Sequence, residues 1–191
     1  MRVACLAVAF ASLLFIAGPS HALQSKHDPL TQSEIEEVRE STDLPPVRVK
    51  LYMRFLDERA AKIVELNKSE LVEHRGIKLH DMIEQFTAIT DELQNNLDEY
   101  QSYETDKRRP VPDLRKVLPL LQKSESTWQA TFAGLPANED YGFVLETNNE
   151  AQESLRQQTA ELIASQEKYF AEKKKEDKQK ARQAEGGYVL P

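Results

Sequence analysis

Cysteine is almost missing from this 191-residue chain: its one copy, Cys5, stands in an apolar N-terminal stretch. A disulfide framework and a thiolate metal site each need several cysteines, so both are excluded. Glycine is scarce too, with 6 copies, two of them adjacent at Gly186 and Gly187. That is too few for a phosphate-cradling loop or for the closely spaced turns of a β sandwich. Positive charge is the minority sign, 25 Lys+Arg against 32 Asp+Glu, which argues against a nucleic-acid footprint. Beyond the N-terminal stretch, no apolar run approaches the roughly 18 to 20 residues of a membrane-crossing helix.

The N-terminal stretch itself has a recognisable order. Arg2 precedes an apolar segment from Val3 to Ala17, Gly18-Pro19 breaks it, and the small residues Ser20 and Ala22 bracket His21. This is the pattern of a cleaved secretory signal, and cleavage after Ala22 is expected. Cys5 stands near the start of the apolar segment rather than at the cleavage point, so a lipoprotein anchor is not expected. The remaining 169 residues carry 24 basic and 32 acidic groups, a formal charge of -8, and no cysteine. A periplasmic or secreted protein without disulfides has to be stabilised by its core or by a partner.

What the chain does have is helical periodicity. Residues 23–46 read as a polar leader followed by a short helix, opened by the capping-box sequence Thr31-Gln32-Ser33-Glu34 and closed before Pro45-Pro46. From Val47, apolar residues including Leu51, Phe55, Leu56, Ile63 and Leu66 recur at steps of three and four. Whether 67–76 continues as helix or becomes loop stays open, since Asn67 and Glu70 can cap a fresh turn before Gly76. Leu79, Ile83, Phe86, Thr90, Leu93, Leu97 and Tyr100 then alternate steps of four and three, a heptad seam that calls for a long neighbour.

Pro110 and Pro112 force a turn. Asp113 is the expected cap of a helix with Leu114, Val117, Leu118, Leu121, Trp128 and Phe132 on its buried face, and Pro119 is expected to bend it or delay its start. A last helix is expected from about Asn138 to near Ala184, broken around Asn148-Asn149, with an apolar face that thins out by Phe170. The fold class these segments imply is all-α: an elongated up-down four-helix bundle, residues 47–171, with a short extra N-terminal helix. Residues 172–191 are expected to be a charged helix end and a flexible tail.

Candidate chemistry is thin. Three histidines survive cleavage, His27, His74 and His80, and Glu70–His74 and His80–Glu84 are spaced four apart. A bundle di-metal centre needs glutamate three residues before each histidine, on two helices. Leu71 and Ile77 occupy those places, so no metal is expected. The serines lack a glycine elbow, and pairs such as Asp57-Glu58, Asp91-Glu92 and Asp98-Glu99 read as solvated helix faces. Neither a catalytic residue nor a cofactor is assigned. The basic clusters Lys107-Arg108-Arg109 and Lys173 to Arg182 could meet an anionic membrane surface or an acidic partner, but the second interleaves acids with its basic groups, lacks an apolar face to enter lipid, and reads first as a solvated helix end. Asn67-Lys68-Ser69 matches a glycosylation sequon.

The expected function is that of an exported, non-enzymatic structural or interaction module. Its partner is expected to be a second copy or another envelope or extracellular protein, with the Leu79 to Tyr100 seam as the candidate surface. The alternatives are a bundle that binds a small ligand or metal and a chaperone for exported proteins. The ligand alternative would be marked by Thr90, Thr159 and Gln166 converging on a cavity beside His80.

Overall fold

The structure, a computed structural model, describes residues 28–69, 71–106 and 108–186. The expected signal at 1–22, His27, Glu70 of the Glu70–His74 pair, Lys107 of the first basic cluster and the terminal 187–191 lie outside the described residues. Among the described residues there are five helices: α1 (Gln32–Glu40), α2 (Pro45–Lys68), α3 (Arg75–Ser102), α4 (Leu118–Ala133) and α5 (Gly142–Gly186). No strand occurs among the described residues, and the expected all-α bundle is the observed class.

Four helices close a square. α2 packs on α3 and α4, and α5 packs on the same two, so α3 faces α4 and α2 faces α5 across the diagonals. Side-chain bonds set the directions. Arg48 to Asn96 and Tyr52 to Glu92 run α2 against α3, whereas Gln94 to Ser154 and Gln158 to Asp98 run α3 alongside α5. Glu125 with Thr159, and Leu114 with Gln166, run α4 against α5. The link from α3 to α4 crosses a diagonal, and it is therefore longer than the short turn expected at Pro110-Val111-Pro112. Along it, Leu114 and Val117 are buried before α4 begins.

The heptad seam of α3 is the centre of the core: Leu79, Ile83, Phe86, Thr90, Leu93, Leu97 and Tyr100 are all buried, with Ile89 beside them. Their partners come from the same chain, namely Phe55, Leu56 and Ile63 of α2, Trp128 and Phe132 of α4, and Leu155 and Leu162 of α5. Each large apolar side chain removed from water in this way contributes about 1.5–3 kcal/mol. Phe86 reaches across the diagonal to Trp128 and Phe132, with edge-on ring centroids 5.6 and 4.8 Å away. The Trp128 indole N–H finds its acceptor on α2, donating to Asp57 at 2.7 Å.

α1 forms by the expected capping box: the Glu34 amide donates to the Thr31 hydroxyl, and the Thr31 amide donates to the Glu34 carboxylate at 2.6 Å. The same carboxylate also takes the buried guanidinium of Arg59 on α2, through Nη1 to Oε1 and through Nη2 to Oε2 at 2.8 Å. Nη2 donates further to the Pro29 carbonyl at 3.0 Å. Burial alone would raise the Glu34 carboxyl, but the bonds from Arg59 and Thr31 outweigh it and bring it down to about 2.

Two local expectations are corrected and one open segment is assigned. α4 begins at Leu118 with Pro119 in its first turn and without a side-chain cap, where proline's missing N–H costs nothing. Asp113 is instead occupied by Arg115, whose Nη2 lies 2.6 Å away. α5 passes through Asn148-Asn149 unbroken for 45 residues, about 68 Å at the usual rise per residue. Among 67–76, α2 ends at Lys68 and α3 starts after His74, which takes a left-handed φ of 55°. Leu71, a candidate for a fresh turn, is 97% exposed. Gly76 matters here because a Cβ would meet Asp140 Oδ2 at 1.8 Å, where the approach to α5 passes the start of α3.

Candidate functional site

Polar side chains hold core positions along α5. Asn148, Gln152, Thr159 and Gln166 are buried, at steps of four, seven and seven that keep them on one helical face. Two of the four have clear structural work. Gln166 accepts the amide of Leu114 at 3.0 Å, which satisfies a backbone donor just ahead of α4. Asn148 Oδ1 lies 3.3 Å from the Thr87 hydroxyl, whose one proton is also shared with the Ile83 carbonyl at 3.0 Å, so Asn148 is seated in the core against α3 where a break was expected.

Thr159 and Gln152 surround the more unusual group, the buried carboxyl of Glu125 on α4. The Thr159 hydroxyl donates to Oε1 at 2.5 Å. Among the described residues, Oε2 of Glu125, both amide atoms of Gln152 and Nδ2 of Asn148 have no hydrogen-bond partner. Burial pushes the Glu125 carboxyl up to about 7, against the smaller opposing pull of the Thr159 bond and the Arg156 charge. A cleft of about 210 Å³ opens beside it, lined by Glu125 and Gln129 of α4 and by Gln152, Glu153 and Arg156 of α5.

The raised carboxyl makes stability depend on pH with a definite sign. Between about 4.5, where an unfolded-state glutamate titrates, and about 7, the folded chain holds a proton that the unfolded chain has released. Folding free energy therefore weakens as pH rises through this window, by at most about 1.4 kcal/mol per pH unit from this group. Urea titrations from pH 4.5 to 8 should show this component in the native chain and not in Glu125→Gln.

Thr90, Thr159 and Gln166 are all buried as the ligand alternative required, but they do not converge beside His80. Thr90 donates to the Phe86 carbonyl one turn back and Gln166 serves Leu114, so of the three only Thr159 touches Glu125. His80 is on α3, with Nδ1 3.5 Å from Asp81. His80, Asp81 and Glu84 bring one potential ligand atom each within 4.8 Å of one another. All three come from one helical turn, whereas a closed metal site draws four ligands. His74 is exposed and 3.5 Å from Glu73.

Of the two basic clusters, the first is largely engaged. Arg108 is bound by Asp106 at 2.8 Å, and Arg109 by Glu99 at 3.2 Å. The second lies beyond the core. Every residue of 171–183 is exposed, and no salt bridge among the described residues involves Lys173, Lys174 or Lys178. With Arg115, these three lysines flank an open surface groove that contains the single acid Asp177. The Arg115 guanidinium lies 4.0 Å above the Phe170 ring, which joins this basic surface to the body of the bundle.

The burial of Glu125 and Arg59 is not legible from residue type, since charged side chains are ordinarily solvated. A positional signal was present in both cases. Glu125 follows Leu121 by four and precedes Trp128 by three, and Arg59 stands four from both Phe55 and Ile63. Either residue thus falls on the apolar face of its helix. No family model matches the chain, and neither a curated protein nor a solved structure does.

Proposed function

We propose that the chain is an exported, non-enzymatic interaction module, in which the bundle is a scaffold and the far end of α5 is the contact element for an acidic partner protein. The observation that carries this reading is the division of α5 at Phe170. Before it the helix contributes core residues, and after it residues 171–183 are wholly exposed and bear six basic groups from Lys173 to Arg182. A stretch of that length cannot be explained by packing, since it buries nothing. Its charge opposes that of residues 23–171, which sum to -10, and complementary charge raises encounter rates and selects partners. Without a large apolar residue between Glu172 and Arg182 it is poorly suited to enter lipid.

The proposal moves the interaction surface away from the Leu79 to Tyr100 seam. Those side chains are covered by the chain's own α2, α4 and α5, so a partner could use them only by opening the bundle.

A capture experiment on envelope and extracellular fractions tests this, with residues 23–191 as bait beside a variant in which Lys173, Lys174 and Lys178 are each changed to Glu. A specific partner should be retained at about 0.05 M salt, fall away by about 0.3 M as screening shortens the reach of charge, and be lost from the variant. Retention that is equal on both baits and indifferent to salt would place the contact on the bundle body and contradict the proposal.

A further inference from the structure

The cleft beside Glu125 has no part in that interaction. Glu125 is 5% exposed and Gln152 is 8% exposed, yet Oε2 of the first and both amide atoms of the second have no partner among the described residues. Buried polar groups in folded proteins are nearly always paired. Here two of them, from different helices, line one cavity of about 210 Å³, larger than the roughly 150 Å³ that accommodates a benzene ring.

Charge decides what the cavity suits. Glu153 and Arg156 on its wall hold each other through two bonds, 2.9 and 2.6 Å. Arg156 lends Glu125 some positive charge, but its bonds keep the guanidinium on Glu153, and Oε2 of Glu125 is left without a hydrogen-bond donor; Asp57, which faces α4 from α2, is held by the Trp128 indole. An anion would meet a like charge. A calcium ion would need six or more oxygen ligands, and the cleft has a single carboxylate free to give them. A cation with N–H donors would complete the hydrogen bonding of Oε2 and of the Gln152 carbonyl together, by the charge-assisted bonds that are strongest out of water.

We propose that this cleft is a binding site for a small organic monocation with N–H donors, of the alkylammonium or guanidinium type, with Glu125 as counter-ion and Gln152 as the second anchor. Binding holds Glu125 ionised, so it displaces the proton that this carboxyl carries near neutrality and strengthens as pH rises from 6 to 8.

The test is calorimetry and amide NMR on residues 23–191 at pH 8, with n-butylammonium and guanidinium as probes and n-butanol, tetramethylammonium and calcium as controls. The expected result is saturable binding of a probe with displacement of the Gln152 side-chain amide signals. The two organic controls should bind at least about tenfold more weakly, as should the probes to Glu125→Gln with its circular dichroism unchanged. Should Glu125→Gln fail to fold, Gln152→Ala supplies the same comparison. The site is refuted if no probe saturates, if n-butanol or calcium binds as well as n-butylammonium, or if binding is indifferent to both substitutions.

Discussion

Replacing Arg59 by alanine should cost the fold about 3–5 kcal/mol, the usual penalty for removing one member of a buried ion pair. Arg59 is 5% exposed and its partner Glu34 is 6% exposed, so neither charge can turn to solvent. Without the guanidinium, the Glu34 carboxylate keeps only the bond from the Thr31 amide, and the Pro29 carbonyl loses the donor that holds the chain entering α1. Urea denaturation at pH 7 should show the loss as a lower midpoint with little change in slope. The double variant Arg59→Met, Glu34→Leu should recover most of it, because a hydrophobic pair of similar volume leaves no charge stranded. The pair also gives the fold an acid-sensitive component. A carboxyl lowered to about 2 contributes in full above about 4.5 and loses that contribution as pH falls from 4.5 toward 2. Acid unfolding of Glu34→Gln should consequently lack this component.

Phe86→Ala is expected to be equally severe, about 3–5 kcal/mol, because the ring is fully buried and the cavity left behind has rigid walls. Its effect is more than lost area. α3 and α4 have no direct backbone approach across the square, and the edge-on contacts of Phe86 with Trp128 and Phe132 are their principal aromatic connection. Edge-on pairs of this kind add about 0.5–1.5 kcal/mol beyond the area they bury. Phe86→Leu, which retains most of the volume, should cost less than half as much. The indole N–H of Trp128, bonded to Asp57, gives a fluorescence and NMR reporter of whether the diagonal loosens before the whole fold is lost.

The parts of this architecture that could be read in the sequence are those where composition and position agree. The α3 seam is apolar at every step but one, and the capping box at Thr31 is a local bond pattern, so both needed no knowledge of the rest of the chain. α5 was legible as a helix but not as a continuous one, because asparagine is a poor helix former that favours turns and caps; burial of Asn148 in the core overrides that preference. Arg59 and Glu125 were hidden by their charge although their spacing was right, since a buried charge becomes plausible only when its partner is known, and Glu34 and Thr159 come from other helices. The neighbour relations were only partly within reach. Similar length alone pairs α3 with α5, and the two do pack together, but nothing in the spacing of the seam chooses α2 over α4 for its other side. The same holds for the Glu125 cleft, which depends on two helices whose register the sequence does not state.

Sedimentation velocity of residues 23–191, paired with urea denaturation at two protein concentrations, tests most directly the claim that the bundle completes its own core and leaves the end of α5 for contact. A folded monomer is predicted, with a denaturation midpoint that does not change with concentration. An obligate dimer, with a midpoint that climbs as concentration is raised, would contradict the account, because it would mean that the Leu79 to Tyr100 seam is completed by a second chain.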